Sequence, residues 1–154
     1  MQRVLFVGGG SIGHIAPAVA VAHALVQQYP SCDVHFLCST KPEDRAYIEK
    51  HGFAATALPA PRLSFSFPWK FLRSFLLARM MLRTERPSVI FSKGGYVSVP
   101  VCLAARLLHI PIILHESDAV SGWANRLVAR WAEGVCLGSP EAATMSPKQI
   151  ATGN

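Results

Sequence analysis

The first apolar segment of the chain ends in a glycine-rich stretch, and residues 6–17 read FVGGGSIGHIAP. Here a buried strand ends at glycines, and a helix follows. The free N–H groups at the start of that helix and the positive end of its dipole lie together, and both attract an anion such as phosphate. Glycine has no Cβ, so an anion can approach its backbone closely. His14 stands at the helix start, where a neutral ring is favoured and can accept a proton. The stretch predicts either an anion site with a general base or a tight turn capped by a histidine.

A second glycine loop, with the sequence SKGGY, occupies residues 92–96. It follows an apolar run, and a further helical segment begins after it. Gly94, Gly95 and Tyr96 therefore repeat the arrangement of the first loop, with small residues at a helix start. Free N–H groups at this position favour a negatively charged ligand. The loop is a second candidate site for phosphate.

A third polar loop, HESD at residues 115–118, also follows an apolar run. Its carboxylates, on Glu116 and Asp118, have the chemistry to bind sugar hydroxyls, although Asp118 has the alternative of N-capping the next turn. Asn125 lies in the helix that follows. It either contacts a ligand or belongs to a solvated or capping face.

The motifs of several nucleotide-binding classes are incomplete. Residues 8–13 match G-x-G-x-x-G, the dinucleotide fingerprint, but that pattern alone is weak. The acidic residue expected after the second strand is missing, since Cys38 is followed by Ser39, Thr40 and Lys41. NAD binding is therefore disfavoured, and no Gly-Lys-Ser/Thr follows the glycines to form a Walker A loop. No cluster has metal-ligand spacing, so the sequence predicts neither a metal nor a cofactor.

Composition limits the class of protein. The 154 residues are 51% hydrophobic and 16% charged, which fits one globular domain and excludes a disordered chain. The formal charge of +6 favours an anionic partner such as phosphate or an acidic lipid surface. No long Lys/Arg block is present, so nucleic acid is not the expected partner. The four cysteines form no CxxC pair, which predicts reduced, mostly buried thiols in a cytosolic protein.

Apolar runs alternate with helical segments along the chain. Strands are expected at residues 4–7, 33–38, 53–58, 88–92, 110–115 and 133–138. Helices are expected at residues 14–28, 43–52, 69–85, 96–109 and 121–132. This alternation predicts an α/β fold, a Rossmann-like doubly wound parallel sheet with helices on both faces. The tail contains only the start of another strand, so we expect the chain to be the front part of a longer protein.

The predicted topology brings the two glycine loops together. In the strand order 3-2-1-4-5-6, strands one and four are neighbours, and ligands bind in the crevice where their connections diverge. Both glycine loops follow these two strands, so both open onto that crevice. Two anion-binding loops facing one crevice predict a diphosphate or a sugar phosphate as the ligand.

One helix is both apolar and basic. Residues 68–86 read PWKFLRSFLLARMMLRTER, and their apolar side chains occupy nearly every sector of a helix. The run is too short to span a bilayer. It predicts either a helix at an anionic lipid surface or a core helix with snorkelling arginines. The candidate membrane-contacting residues are Trp69, Lys70, Phe71, Phe75, Leu76, Arg79 and Arg83.

Three segments together resemble a known family. They are GGSIGHIAPAVAVAHAL, SKGGYVSVPVCLAARLLHIPIILHESD and SGWANRLVARWA. They are similar to the amino-terminal domain of the MurG family of N-acetylglucosaminyltransferases, in glycosyltransferase family 28. The resemblance implies the amino-terminal half of a two-domain GT-B enzyme. Residues 1–154 would then be the acceptor-binding domain, and the carboxyl-terminal donor-binding domain would be absent from this chain.

The resemblance also implies an activity and roles for residues. The activity is inverting transfer of N-acetylglucosamine from UDP-N-acetylglucosamine to undecaprenyl-diphospho-muramoyl-pentapeptide, which converts lipid I into lipid II for the peptidoglycan cell wall. His14 would be the base. The implied donor-binding residues are Ser11, Ile12, Gly13, Asp118 and Asn125. The implied acceptor-diphosphate residues are Gly9, Gly10, Gly13, Gly94, Gly95 and Tyr96.

Two positions depart from the family pattern. Ile12 replaces a usual glycine, and its side chain leaves less space for a ligand to approach the backbone of the first glycine loop. Asp118 replaces a usual asparagine, and its carboxylate cannot donate a hydrogen bond and repels a nearby phosphate.

The sequence also leads to expectations about the location of the protein, its partners and two alternative functions. The resemblance places the protein peripherally on the cytoplasmic face of the cell membrane, inactive without its carboxyl-terminal partner domain. One alternative is a non-catalytic, membrane-recruiting subunit of a split two-chain glycosyltransferase. A second is a nucleotide-dependent oxidoreductase, which the missing acidic residue after strand two makes less favourable.

Overall fold

Strands and helices alternate through the chain in the computed structural model, which describes residues 2–60, 67–118, 121–138 and 148–152. The strands in these ranges are β1 (Arg3–Val7), β2 (Asp33–Cys38), β3 (Ala54–Ala57), β4 (Val89–Ser92), β5 (Ile112–Glu116), β6 (Gly134–Leu137) and β7 (Gln149–Ala151). The helices are α1 (Ile12–Gln28), α2 (Pro42–Lys50), α3 (Phe67–Glu85), α4 (Ser98–Leu107) and α5 (Trp123–Ala129).

The strands form one parallel sheet in the order β3-β2-β1-β4-β5-β6-β7. The predicted order is confirmed, and β7 adds a seventh strand at the edge beside β6. The chain steps outward from β1 to β3, then crosses back to β4 and steps outward the other way. This reversal lies between β1 and β4, where a doubly wound fold opens its ligand crevice.

Alternation along β1 explains why helices cover both faces of the sheet. Val4 and Phe6 lie in one apolar cluster with residues of α1 and α2. Leu5 and Val7 lie in the other cluster, with residues of α3, α4 and α5. Successive side chains of a strand point to opposite faces, so a continuous apolar run needs cover on both. The packing confirms that β1 is buried on both faces.

Helix α1 begins two residues earlier than the sequence predicts. Ser11 is its N-cap residue, so Ile12 and Gly13 form the start of the first turn. Pro17 lies inside the helix. Proline has no N–H, so the Gly13 carbonyl has no helical donor four residues on.

All four cysteines are free thiols, as expected. Cys38 and Cys102 are buried, while Cys32 and Cys136 are half-buried. Burial raises the pKa of Cys38 to about 11 and that of Cys102 to about 12. Both thiols therefore stay protonated and act as small apolar side chains.

Candidate functional site

The two glycine loops lie side by side at the carboxyl edge of the sheet. Val7 and Ser92, the last residues of β1 and β4, are register partners. The second loop stays bound to β1 at its second residue, since the Lys93 N–H donates to the Val7 carbonyl at 2.8 Å. A Cβ on Gly95 would lie 3.1 Å from the Gly9 carbonyl oxygen. The predicted convergence of the loops is therefore confirmed.

The side chain of Tyr96 closes one side of the first loop. Gly10 has a φ of +105°, and a Cβ there would lie 3.0 Å from the Tyr96 ring. A larger residue at position 10 would therefore be strained and would displace the ring. The tyrosine and the first loop form one contact surface, as the shared-crevice prediction requires.

The start of α1 presents the predicted donor-binding and base residues to solvent. Ser11, Ile12 and Gly13 are exposed, and His14 is half-buried. The first N–H groups of a helix have no intrahelical acceptor, and the first turn of α1 contains no acidic side chain to neutralise them. This helix end therefore attracts an anion, and the His14 ring stands beside it.

The amide of Gly10 is already occupied by a carboxylate from the neighbouring helix. Asp44, in the first turn of α2, is fully buried, and its Oδ2 accepts hydrogen bonds from the Gly10 N–H at 2.7 Å and the Ser39 hydroxyl at 2.5 Å. Lys41 also donates to the Gly10 carbonyl. The N–H and the carbonyl of Gly10 are therefore both bound by residues at the start of α2 or just before it. The expectation that the Gly10 N–H points into the crevice is corrected accordingly.

Asp44 also bears on the oxidoreductase alternative. No acidic residue directly follows β2, but Asp44 stands six residues after Cys38, the last residue of that strand. Its carboxylate binds the Gly10 N–H of the first glycine loop, so this N–H is not available to a ligand. Gly9 packs on the same connection, because a Cβ there would lie 2.7 Å from the Ser39 nitrogen. A carboxylate at the Gly10 amide repels a dinucleotide phosphate at that point. The arrangement further disfavours dinucleotide binding.

A buried lysine lies behind the second loop. Lys93 is 1% exposed, and its ammonium donates to His115 Nδ1 at 2.7 Å and to the Ser117 hydroxyl. Because the ammonium is a donor, the neutral ring of His115 keeps its proton on Nε2. Burial lowers the pKa of Lys93 to about 8, against the opposing effect of Glu116 and Asp118. The lysine is therefore mostly charged at pH 7 and joins the ends of β4 and β5.

Glu116 is an internal anchor, not a surface ligand. It is 2% exposed; its Oε2 accepts from Asn125 Nδ2 at 2.7 Å, and its Oε1 accepts from the Asp118 N–H at 3.1 Å. The expectation that Glu116 binds sugar hydroxyls is wrong, because both oxygens are committed within the protein. The Asp118 carboxylate is exposed, and α5 has Gly122 as its N-cap residue, so Asp118 does not cap that helix.

Asn125 links α5 to the second glycine loop. It is 7% exposed, so the solvated or capping face that was one alternative for it is not found, and its contact with the donor stays a prediction. Its amide lies against Gly94, where a Cβ would fall 2.6 Å from both Cγ and Nδ2. Gly94 also has a φ of +86°. The site depends on this glycine because an l-residue there would be strained and would collide with the asparagine.

Helix α3 carries an exposed apolar stripe. Its members are spaced three or four residues apart and are 45% to 78% exposed; they are Trp69, Leu72, Leu76 and Met80. Phe71 and Phe75 are half-buried and pack on the core cluster. This packing does not support their predicted contact with a membrane surface, whereas Leu72 and Met80, which were not among the candidates, are exposed. We call these four exposed residues the α3 stripe.

Basic residues accompany the α3 stripe. Lys70, Arg73 and Arg83 are exposed, while Arg79 is half-buried. The carboxyl end of α3 lies at the amino edge of the sheet, since Arg3 of β1 bonds Glu85. The other end, with Trp69, therefore points towards the edge that carries the glycine loops. None of the helices in the described ranges is long and apolar enough to cross a membrane.

Sequence reasoning missed three residues of the site: Asp44, Lys93 and His115. Each makes its contact across elements that are distant in sequence, so no local motif reveals it. A weak signal existed, because Asp44 and Lys93 follow parallel strands and His115 lies near the end of one, all at the same edge of the sheet. Within the described ranges, no group of three His, Cys, Asp or Glu side chains is arranged to hold a metal.

Comparison with known sequences gives a consistent result. A family model described as "Glycosyltransferase family 28 N-terminal domain" matches residues 4–137. The UDP-N-acetylglucosamine–N-acetylmuramyl-(pentapeptide) pyrophosphoryl-undecaprenol N-acetylglucosamine transferase of Lachnoclostridium phytofermentans is 38% identical, over 98% of this chain and 44% of the relative. The transferase of the same name from Shouchella clausii is 36% identical, over 99% of this chain and 44% of the relative. The chain thus spans less than half the length of these relatives.

Solved structures agree with the fold. MurG of Acinetobacter baumannii superimposes with a TM-score of 0.85 at 28% identity, over 97% of this chain and 45% of that one. A complex of S. aureus MnaA with UDP gives a TM-score of 0.74 at 14% identity, over 100% of this chain and 44% of that one. At so low an identity, the second likeness concerns the fold alone.

Proposed function

Because the chain belongs to the glycosyltransferase family 28 amino-terminal domain family, we propose that it is the acceptor-binding half of an N-acetylglucosaminyltransferase. The enzyme would transfer N-acetylglucosamine from UDP-N-acetylglucosamine to undecaprenyl-diphospho-muramoyl-pentapeptide. The observation that carries this proposal is 38% identity, over nearly the whole chain, to a transferase named for that reaction. A carboxyl-terminal domain would complete the donor site, since the chain matches only 44% of that relative.

The crevice supplies the groups that such a transfer needs. The acceptor hydroxyl attacks the anomeric carbon of the donor, the bond from that carbon to UDP breaks, and inversion follows from attack on the opposite face. His14 accepts the hydroxyl proton as general base. Its half-buried ring at the exposed start of α1 supports this role. Ser11, Ile12 and Gly13 lie beside it and would contact the donor together with Asp118.

The acceptor diphosphate would lie between the start of α1 and the second glycine loop. Gly13, Gly94, Gly95 and Tyr96 border this space, and the unneutralised end of α1 favours negative charge there. Gly10 would shape the space rather than donate to it, because Asp44 and Lys41 already bind its N–H and its carbonyl, and Gly9 would border the space beside it.

The α3 stripe would hold the protein at the membrane that contains the lipid acceptor. Apolar side chains exposed along one helix face, with Lys70, Arg73 and Arg83 nearby, suit an anionic lipid surface. The chain would then sit peripherally on the cytoplasmic face, with its crevice edge near the lipid head groups.

The direct test is a transfer assay. We expect the full-length protein to convert lipid I to lipid II with UDP-N-acetylglucosamine as donor, and residues 1–154 alone to be inactive. Lipid II is detected by chromatography of the extracted lipid. Failure of the full-length protein to form lipid II under these conditions would refute the proposed reaction.

The membrane proposal predicts loss of vesicle binding. Changing Trp69, Leu76 and Met80 together to serine should abolish co-sedimentation with vesicles of phosphatidylglycerol, because it removes most of the exposed apolar face of α3. Tyr29→Ser is the matched control, since Tyr29 is 55% exposed at the carboxyl end of α1, away from α3. Equal binding by the triple variant and the wild type would contradict a membrane role for the α3 stripe.

A further inference from the structure

Asp44 is a buried carboxylate that contacts the first glycine loop. It is fully buried, and its Oδ2 accepts hydrogen bonds from the Gly10 N–H at 2.7 Å and from the Ser39 hydroxyl at 2.5 Å. No described residue donates to its Oδ1, which is also buried. A buried carboxylate with an unpaired oxygen is costly, and its burial is weak evidence for a role in stability. Asp44 is therefore better explained by its effect on Gly10.

Asp44 and Lys41 bind the two sides of Gly10. The Gly10 N–H donates to Asp44, and the Gly10 carbonyl accepts from the Lys41 ammonium. The first bond orients the peptide that precedes the Cα of Gly10, and the second bond orients the peptide that follows it. Because each peptide is planar, φ and ψ are the only soft torsions between these two groups. The two bonds therefore fix both torsions of Gly10.

The conformation of Gly10 needs this support. Glycine populates positive and negative φ about equally, so the residue alone does not select the observed φ of +105°. The start of α2 is itself a closed turn, since the Asp44 N–H donates to the Lys41 carbonyl at 3.1 Å and the Lys41 N–H to the Ser39 hydroxyl at 3.2 Å. This turn presents its acceptor and its donor at fixed places, and Gly10 conforms to them.

The torsions of Gly10 determine where α1 begins. Ser11, the next residue, is the N-cap residue of α1, and its carbonyl accepts from the His14 N–H at 3.1 Å. A rotation at Gly10 therefore moves the first turn of α1 together with the half-buried ring of His14. Displacing a reacting group by about 1 Å can cost a hundredfold in rate.

We propose that Asp44, together with Lys41, is a positioning residue that fixes the torsions of Gly10 and so holds the start of α1 and the His14 ring at the crevice. The inference rests on the proposed function for the reaction that His14 serves. The carboxylate of Asp44 is fully buried, so this residue acts through the first glycine loop and not by contact with a substrate.

A double-variant cycle in the full-length protein tests the proposal. Asp44→Ala removes the acceptor of the Gly10 N–H, and we expect it to lower kcat for lipid II formation by about tenfold. In a His14→Ala background the same change should lower kcat by less than about twofold, because the group that it displaces is already gone. Asp44→Asn should keep kcat within about threefold of wild type, since its amide oxygen can accept both bonds of Oδ2.

Arg3→Met is the matched control. It also removes two side-chain bonds, those to Asp33 and Glu85, but at the amino edge of the sheet. Its kcat should be unchanged. Wild-type kcat in folded Asp44→Ala would overturn the proposal, as would an equal loss with and without the His14 ring. An Asp44→Asn variant as impaired as Asp44→Ala would also overturn it, because the acceptor of the Gly10 N–H would then not be what matters.

Lys41→Met gives the same test from the other side of Gly10. It removes the donor to the Gly10 carbonyl from a half-buried side chain, so we expect the variant to fold even if Asp44→Ala does not. Its kcat should fall by about threefold in the wild-type background and remain unchanged in the His14→Ala background. An unchanged kcat in the wild-type background would overturn the proposal, since the Gly10 carbonyl would then need no donor.

NMR spectra of the same variants separate this proposal from the proposed reaction. In Asp44→Ala we expect the Gly10 amide to exchange with solvent about tenfold faster and the His14 ring resonances to shift, while those of His23 on the same helix stay in place. If the wild type forms no lipid II, the proposed function fails, but these changes still support the positioning role. Unchanged Gly10 exchange with unshifted His14 resonances would overturn that role whatever the reaction.

Discussion

Replacing His14 with alanine should lower the turnover of the full-length protein in the proposed transfer reaction by about a hundredfold or more while the protein stays folded. The imidazole is the candidate group that takes the proton from the attacking hydroxyl, and the truncation leaves a methyl group in its place. The chain should tolerate the change, because His14 is half-buried and no described residue makes a side-chain hydrogen bond to its ring. Steady-state rates with UDP-N-acetylglucosamine and lipid I give the effect on kcat.

His23→Ala is the control for His14→Ala, since it removes an exposed histidine of the same helix. It should leave kcat within about twofold of wild type, because His23 packs on Phe53 away from the crevice. Added imidazole should partly restore His14→Ala if only a proton acceptor is missing. Undiminished turnover in folded His14→Ala would leave this histidine a structural role at the start of α1.

Replacing Gly94 with alanine should destabilise the domain by about 3 kcal/mol or more. The backbone at Gly94 has a φ of +86°, and the added Cβ would lie 2.6 Å from Cγ and Nδ2 of Asn125. Asn125 must then move, which breaks its buried hydrogen bond to Glu116. The free energy of unfolding, measured by urea denaturation of the wild type and the variant, gives the difference.

Gly52→Ala separates the strain of the backbone from the collision. Gly52 has nearly the same φ, +84°, but a Cβ there would meet nothing within 4 Å. Gly52→Ala should lower the free energy of unfolding by about 1 kcal/mol, because only the left-handed backbone conformation opposes the alanine. Adding Asn125→Ala to Gly94→Ala should cost less than the two single changes summed, because the collision disappears. Equal costs for Gly94→Ala and Gly52→Ala would mean that Asn125 does not hold the second loop.

The sheet and its crevice followed from local sequence. Short apolar runs bounded by glycine or polar residues mark strands covered on both faces, and β1 shows this pattern because both neighbouring helix layers bury it. Alternation with helices then leaves few topologies, so the neighbouring positions of β1 and β4 were predictable. The family was recognisable from three segments of the sequence, and the match over residues 4–137 confirms it.

The sequence did not predict which face of α3 is buried. Apolar residues occupy nearly every sector of this helix, so periodicity does not distinguish the buried face from the exposed one. Packing against the core cluster decides it: Phe71 and Phe75 turn inward, and Leu72 and Met80 stay exposed. Contact of α3 with a membrane stays a prediction, and the packing changes which of its apolar residues are exposed enough to make that contact.

The sequence by itself determined the order of elements, the two glycine loops, the position of His14 and the family, because these depend on local patterns and on the rules of parallel sheets. Only the tertiary structure decided how the polar groups pair. Asp44 binds Gly10 across 34 positions, and Lys93 reaches His115 across 22. Buried polar groups must find partners wherever the fold places them, so their pairing depends on three-dimensional proximity and not on spacing along the chain.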